Sequence, residues 1–264
     1  MNLKSICEDA LEIVSKTAAF VKNERLNFSN LRIEEKGRHN FVTHVDKEAE
    51  KRLVSGLNAL FPKAGFIAEE GTRAPGKETF NWIIDPLDGT TNYIHGAPPY
   101  SISVALAEHD TILLGIVFEI FSSEIFHAYK DAPAYLNGVV IKVSSASKLS
   151  EALIATGFPY TDFGRMEPFM RSLEYFFTNS HGVRRLGSAA ADLAYVACGR
   201  YDAFYEYSLN PWDVAAGVIL VQQAGGKISD FRGGQHYLLG GEIVAANAGI
   251  HAEFLEKVGE FMNK

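Results

Sequence analysis

The residues with chemistry to offer are densest between positions 81 and 106, NWIIDPLDGTTNYIHGAPPYSISVAL. Trp82-Ile83-Ile84 is a short apolar run that predicts a buried strand, and the run stops at Asp85-Pro86-Leu87-Asp88-Gly89, with Thr90, Thr91 and Asn92 next. Asp, Pro and Gly in that order would suit a plain turn. A turn needs only one Asp, however, and this stretch sets two carboxylates and two hydroxyls at the end of a buried strand, where open α/β sheets place ligands. Two carboxylates so close repel unless a cation lies between them. Hard cations that keep part of their water, Mg²⁺ above all, are bound by one or two carboxylates together with phosphate oxygens. The stretch therefore predicts a metal–phosphate site.

Other acids stand at the ends of predicted elements, where a shared site can be assembled. Asp46 lies near the start of a helical segment over 44–61, and a helix N-terminus favours a carboxylate whatever else it does. Glu69 and Glu70 follow the short apolar run 65–68. Neighbouring side chains on a strand point to opposite faces, so at most one of the two faces a common site. Asp213 begins a helix, where a capping role is the ordinary reading, and Glu206 lies in the strand pattern of 201–207.

The elements that must position these acids can be read from periodicity. Leu3, Ile6, Cys7, Ala10, Leu11, Val14, Ala18 and Val21 form a helical stripe. A polar loop through Gly37-Arg38-His39-Asn40 leads to the second helix, which Pro62 ends, and 72–80 has the composition of a surface loop. Runs at 101–107, 112–119 and 124–129 predict antiparallel hairpins, and Asn137-Gly138 marks a tight hairpin turn. Thereafter strands and helices alternate: a strand over 152–156, a helix near 165–178, a helix capped by Ser188, and an apolar helix from Trp212 to Ala224 closed by Gly225-Gly226. Strands near 227–229 and 243–246 and a helix from Ile250 complete the chain. The change of pattern near 140–150 divides the chain into an N-terminal α+β half, 1–145, holding most of the candidate metal ligands, and a C-terminal α/β half, 146–264, holding Glu206 and Asp213.

Composition narrows the class. With 47% hydrophobic, 12% aromatic and 22% charged residues in 264, the chain has the make-up of a globular protein with one large domain or two small ones. A formal charge of −7 argues against a general nucleic-acid binder. Bound cations would neutralise the site of an acidic protein acting on an anionic ester. The two cysteines, Cys7 and Cys198, lack partners at metal-ligand spacing and are expected to be buried free thiols. Glu8, Asp9 and Glu12 stand where a signal peptide would be apolar, and no run approaches the ~18 apolar residues of a membrane span, so a cytoplasmic protein without membrane contact is expected.

Taken together, Ala68-Glu69-Glu70, Trp82-Ile83-Ile84-Asp85-Pro86-Leu87-Asp88-Gly89-Thr90-Thr91-Asn92 and Trp212-Asp213-Val214-Ala215-Ala216-Gly217 resemble the inositol monophosphatase family of Mg²⁺-dependent, lithium-sensitive phosphatases. Phe41-Val42-Thr43-His44-Val45-Asp46, Gly187-Ser188-Ala189-Ala190 and Tyr205-Glu206 fall in the family's order, so the resemblance covers nearly the whole chain. It implies a layered α-β-α-β-α sandwich of the inositol monophosphatase and fructose-1,6-bisphosphatase type, antiparallel-rich in its first half and mixed in its second. Two or three Mg²⁺ ions are implied, with ligands at Glu69, Asp85, the backbone carbonyl of Leu87, Asp88 and Asp213. Glu69 and Thr90 would prepare the attacking water, with Asp46 holding Thr90. The N–H groups of Gly89 and Thr90 would take phosphate oxygens. Asp88, Glu206 and the N–H around Ala189 would bind the substrate's alcohol portion. The resemblance also implies a homodimer and, as substrate, myo-inositol 1-phosphate.

Some positions depart from the family's pattern: Asn40 where relatives often carry Asp, Ser188 for Thr, Leu87 for Ile, and Lys36 in a loop of altered length. Histidinol phosphate, a sugar bisphosphate or a nucleotide 3′-phosphate are alternative substrates for the same chemistry. The dehalogenase-like phosphatases, which attack through Asp in Asp-x-Asp, fit poorly because Asp85 and Asp88 are separated by two residues. A metal- or phosphate-binding regulatory protein without turnover is the reading from another class.

Overall fold

The computed structural model describes residues 1–26, 33–37, 40–71, 78–160 and 162–263, with the side chains of 33, 35–37 and 40–42 outside that set. Helix α1 (Leu3–Leu26) buries Cys7, Ala10, Val14, Ala18 and Val21, and α2 (His44–Leu60) buries Val45, Ala49, Leu53 and Leu57. Both stripes pack on one face of a sheet, in a core that includes Phe66, Trp82, Ile84, Leu106 and Ile116. That sheet has seven strands in chain order: β3 (Gly65–Ala68), β4 (Phe80–Asp88), β5 (Ser101–Glu108), β6 (Thr111–Glu119), β7 (Glu124–Tyr129), β8 (Ala134–Leu136) and β9 (Val139–Ile141). Only β3 and β4 are parallel; the others pair as antiparallel neighbours. Asn137 and Gly138 take positive φ of 49° and 79°, the left-handed pair that a two-residue hairpin turn requires.

On the other face lie α5 (Ala189–Ala197) and α6 (Pro211–Gln223). Helix α6 buries Val214 through Val221 without a polar stripe, as expected of a helix covered on both sides. A second sheet follows, of order β11-β10-β12-β14-β13. Here β11 (Gly182–Arg184), β10 (Leu153–Thr156) and β12 (Ala203–Tyr207) run parallel, while β14 (Glu242–Asn247) pairs antiparallel with both β12 and β13 (Gly226–Ser229). Helices α4 (Met166–Asn179) and α7 (His251–Met262) close the outer side over Phe169, Phe176, Tyr205 and Phe254. The result is the α-β-α-β-α sandwich that the resemblance implied, with a predominantly antiparallel first sheet and a mixed second one.

Local differences from the sequence reading have physical causes. Strand β4 does not stop at Ile84 but continues to Asp88 through a bulge, with regular pairing to β5 interrupted between Asp85 and Asp88. Pro86 has no N–H to give to a ladder, and Asp85 Oδ1 accepts the Leu87 N–H at 2.9 Å in its place. A six-residue helix, α3 (Thr90–His95), follows at once, entered through Gly89 at φ 88°. An added Cβ on Gly89 would lie 3.1 Å from the Gly187 carbonyl, so both its φ and the close approach favour glycine. The stretch read as a polar loop contains a hairpin, β1 (Ile33–Gly37) with β2 (Asn40–Thr43). Cys7 is buried as expected, but Cys198 caps the C-terminus of α5 and is only half-buried; both are free thiols. The side chains of Lys36 and Asn40, and the loop over 72–77, lie outside the described residues. Among the described residues no helix is long and apolar enough to cross a membrane.

Candidate active site

The bulge on β4 explains how two Asp residues in one strand come to serve one site. Glu69 follows β3, whose Ala68 is registered with Ile84 of parallel β4, and the Glu69 N–H donates to the Ile84 carbonyl at 3.2 Å. Glu69 is thereby set beside Asp85. Asp85 pairs across with Ser103 of β5, and the Ser103 hydroxyl donates to the Trp212 carbonyl at 3.0 Å, which brings the first turn of α6 to the same place. Asp213 stands in that turn. It forms a capping box with Asn210, its Oδ2 accepting the Asn210 N–H at 2.7 Å.

Asp88 is fixed from the second half of the chain. Its Oδ2 accepts from the Ser188 hydroxyl at 2.6 Å and from the Ala190 N–H at 2.8 Å, at the start of α5. Glu206 comes from β12. Glu69, Asp85, Leu87, Asp88, Gly89, Thr90, Ala189, Glu206 and Asp213 all line one cavity of about 180 Å³. Glu70 is not among the lining residues; the two acids lie in the turn after β3 rather than on the strand, so the strand alternation expected of them does not apply.

Asp46 lies behind the wall. It is fully buried in the first turn of α2, accepts from the Thr43 N–H at 2.9 Å in a capping box, and its Oδ1 lies 2.9 Å from the Thr90 hydroxyl. The same hydroxyl lies 3.0 Å from the Leu87 carbonyl. One proton cannot serve both acceptors fully, so Thr90 is poised between Asp46 and the bulge.

The electrostatics are those of crowded buried acids. Burial first, then Glu69, Asp88 and Asp213, pushes the Asp85 carboxyl well up. Asp213 is raised by burial and by Asp88 and Glu69, against the Asn210 donors. Burial carries Asp88 up to about 6 despite Ser188, the Ala190 N–H, Arg185 and the Gly89 N–H. Glu206 is raised by burial, then by Asp213 and Asp88. Asp85, Glu206 and Asp213 are thus raised in part by neighbouring acids, a cost that positive charge in the cavity would remove.

This donor set fits a hard divalent cation: carboxylate oxygens with a backbone carbonyl, and no thiol or imidazole among the lining residues. Glu69, Asp85, Asp88, Asp213 and the Leu87 carbonyl are the groups that could hold it. Among the described residues, no three metal-capable side chains already converge as a closed ligand set. Asp85, Asp88 and Asp213 each accept from local N–H or hydroxyl donors.

Residues that sequence reasoning did not single out complete the cavity. The Arg185 guanidinium lies over the Phe158 and Tyr160 rings, 5.3 Å and 5.4 Å from their centroids, and donates to the Tyr160 hydroxyl. All three line the cavity. Arg184 and Arg185 look alike in sequence. Only the end of β11 separates them, leaving Arg184 exposed and Arg185 turned inward. Asp192 is a further surprise: buried in α5, it has both carboxyl oxygens without a hydrogen-bond partner. Nothing in its helical spacing distinguished it from a surface acid.

Residues 2–262 match the Inositol monophosphatase family. The chain is 38% identical over 239 residues to the protein named Nus factor SuhB of Vibrio cholerae, covering 90% of each. It is also 38% identical over 230 residues to the inositol-1-monophosphatase of Mesorhizobium japonicum, covering 87% of this chain and 86% of that one. The extragenic suppressor protein suhB from Bartonella henselae superposes with a TM-score of 0.92 at 32% identity, over 96% of this chain and 98% of that one. With the motifs, the five layers and these matches in agreement, the chain belongs to the inositol monophosphatase family, and its chemistry is that of a metal-dependent phosphomonoesterase.

Proposed function

We propose that this protein hydrolyses a small polyol phosphate, with myo-inositol 1-phosphate the leading substrate, by direct attack of water and without a covalent intermediate. The observation that carries the reading is the grouping of four carboxylates, Thr90 and Glu206 on one cavity, with Asp46 bonded to Thr90 from behind its wall. The relatives cited above carry different names at the same 38% identity, so the choice of substrate rests on the site rather than on similarity.

Glu69, Asp85, the Leu87 carbonyl, Asp88 and Asp213 would hold two or three Mg²⁺ ions, which would supply a lowered pKa for the attacking water and charge neutralisation at the departing oxygen. Glu69 and Thr90 orient that water and take its proton, and Asp46 fixes the Thr90 hydroxyl from behind. The backbone N–H groups of Gly89, the N-cap of α3, and of Thr90 would donate to phosphate oxygens, as backbone donors at a helix start do. Asp88, Glu206 and the Ala189 N–H bind the hydroxyls of the alcohol. A polyol with the wrong stereochemistry would leave these buried groups unpaired, which is how such a pocket selects. Lithium inhibition, a homodimeric state and a cytoplasmic location belong to the same reading.

The test is phosphate release from myo-inositol 1-phosphate, histidinol phosphate, fructose 1,6-bisphosphate and a nucleoside 3′,5′-bisphosphate, each with Mg²⁺, without it and with added Li⁺. Preference for the inositol ester, lost without Mg²⁺ and reduced by Li⁺, is expected. Preference for another ester would reassign Glu206 and its surroundings. No metal-dependent release from any of the four would favour a regulatory protein that binds metal or phosphate without turnover.

A further inference from the structure

Glu206 shares its place on the wall with a residue that has no side chain. Strand β10 runs parallel to β12 with Thr156 registered against Tyr205, so Gly157 falls beside Glu206. A Cβ built on Gly157 would overlap Oε1, Cδ and Oε2 of Glu206, and these are its three nearest atoms. The carboxylate occupies the space that any other residue at 157 would fill.

The backbone there has little room to withdraw. Thr156 donates its hydroxyl to the Tyr205 carbonyl at 2.7 Å, across the same strand pair. On the other side, the Phe158 ring lies under the Arg185 guanidinium. A methyl group at 157 therefore meets a flexible side-chain end rather than a rigid frame, and the part that must move is the Glu206 carboxylate. The glycine is not serving a left-handed turn, since residue 157 is absent from the positive-φ positions.

We infer that Gly157 is a positioning residue for substrate selection: its missing side chain lets the Glu206 carboxylate lie at the end of β10 and face the substrate's alcohol portion. This rests on the reading of Glu206 as a polyol acceptor. The three atoms nearest an added Cβ at Gly157 all belong to Glu206, and Gly157 is not among the residues lining the cavity, so it acts on which ester is hydrolysed rather than on hydrolysis itself.

The experiment compares kcat/KM for myo-inositol 1-phosphate and for 4-nitrophenyl phosphate, whose leaving group has no polyol hydroxyls. Wild type, Gly157→Ala, Glu206→Ala and the double variant are measured, with melting temperatures alongside. Gly157→Ala is expected to lower the polyol-to-aryl ratio roughly tenfold or more, with aryl phosphate turnover within about twofold of wild type. In the Glu206→Ala background the same change is expected to do nothing further, because the group it displaces is gone. An unchanged ratio in Gly157→Ala beside a lowered one in Glu206→Ala would overturn the inference alone. A ratio that Glu206→Ala leaves unchanged would overturn the polyol reading itself. Additive losses in the double variant would show that Gly157 acts independently of Glu206, against the inference. Should Gly157→Ala fail to fold, the double variant, with the carboxylate removed, is expected to fold; its failure would overturn the inference too.

Discussion

Asp85 is fully buried, raised by that burial and by three neighbouring acids, and tied to the bulge through the Leu87 N–H. Asp85→Asn keeps an oxygen for that N–H and loses the charge. It should fold normally and lose turnover by roughly 100-fold or more, measured as Mg²⁺-dependent phosphate release. Asp192 allows a test of electrostatics away from the proposed metal ligands. Its carboxyl is pushed well up by burial, then by Glu206 and Asp88, and only Arg185 opposes this. A carboxyl raised in the folded state keeps a proton that the unfolded chain releases above about pH 4, so its contribution to stability falls as pH rises through that window. Asp192→Asn has nothing to titrate. Its melting temperature should match wild type near pH 4 and exceed it by a few degrees near pH 8, by roughly the shift that 1 kcal/mol produces. Equal pH slopes for the two proteins would contradict this account of Asp192.

At the scale of elements, the site is a meeting of element ends: the bulge of β4, the start of α3, the cap of α5 and the first turn of α6. Ser188 does two jobs there, capping α5 through the Ala191 N–H at 3.3 Å and donating to Asp88. Ser188→Ala should therefore cost about 1 kcal/mol of stability. It should also raise the Mg²⁺ concentration needed for half-maximal rate by roughly tenfold. Thermal melts and Mg²⁺ titration of the rate check the two effects separately. Much of this level could be read from the sequence. Pro62, Gly225-Gly226, Asn137-Gly138 and Ser188 are local stop, turn and cap signals, and each was read from its neighbours alone. The β4 bulge was not legible, because Asp-Pro-Leu-Asp looks like a turn until β5 pairs on both sides of it. Helix α3 was missed for a related reason: its six residues are too few to show a period. The inward turn of Arg185 and the packing of Gly157 on Glu206 depend on strand register between segments far apart in sequence, which one chain read in order does not reveal.

For the molecule as a whole, the two sheets are held around α5 and α6 by close packing and by polar bonds that cross the chain. An added Cβ on Gly115 of β6 would lie 2.6 Å from the Ala216 carbonyl and 2.8 Å from its Cα, backbone atoms that cannot step aside. Gly115→Ala should destabilise by about 1–3 kcal/mol, read as a lower urea midpoint at unchanged m-value. Asn92 of α3 links the two halves elsewhere, donating to the Leu186 carbonyl at 2.7 Å and, locally, to the Pro99 carbonyl at 2.8 Å. The layered architecture was legible because the resemblance spanned the chain and the strand and helix patterns agreed with it. The reason for the layers appears only in three dimensions, where the cavity takes acids from both sheets and from α6 between them. The most direct test is the initial rate of phosphate release from myo-inositol 1-phosphate as Mg²⁺ is raised from zero, in wild type and Asp85→Asn side by side. A wild-type rate that climbs from near zero and saturates, with the variant roughly 100-fold lower throughout, is the predicted result. Release that is independent of Mg²⁺, or equal in the two proteins, would contradict a metal-dependent phosphatase built on these carboxylates.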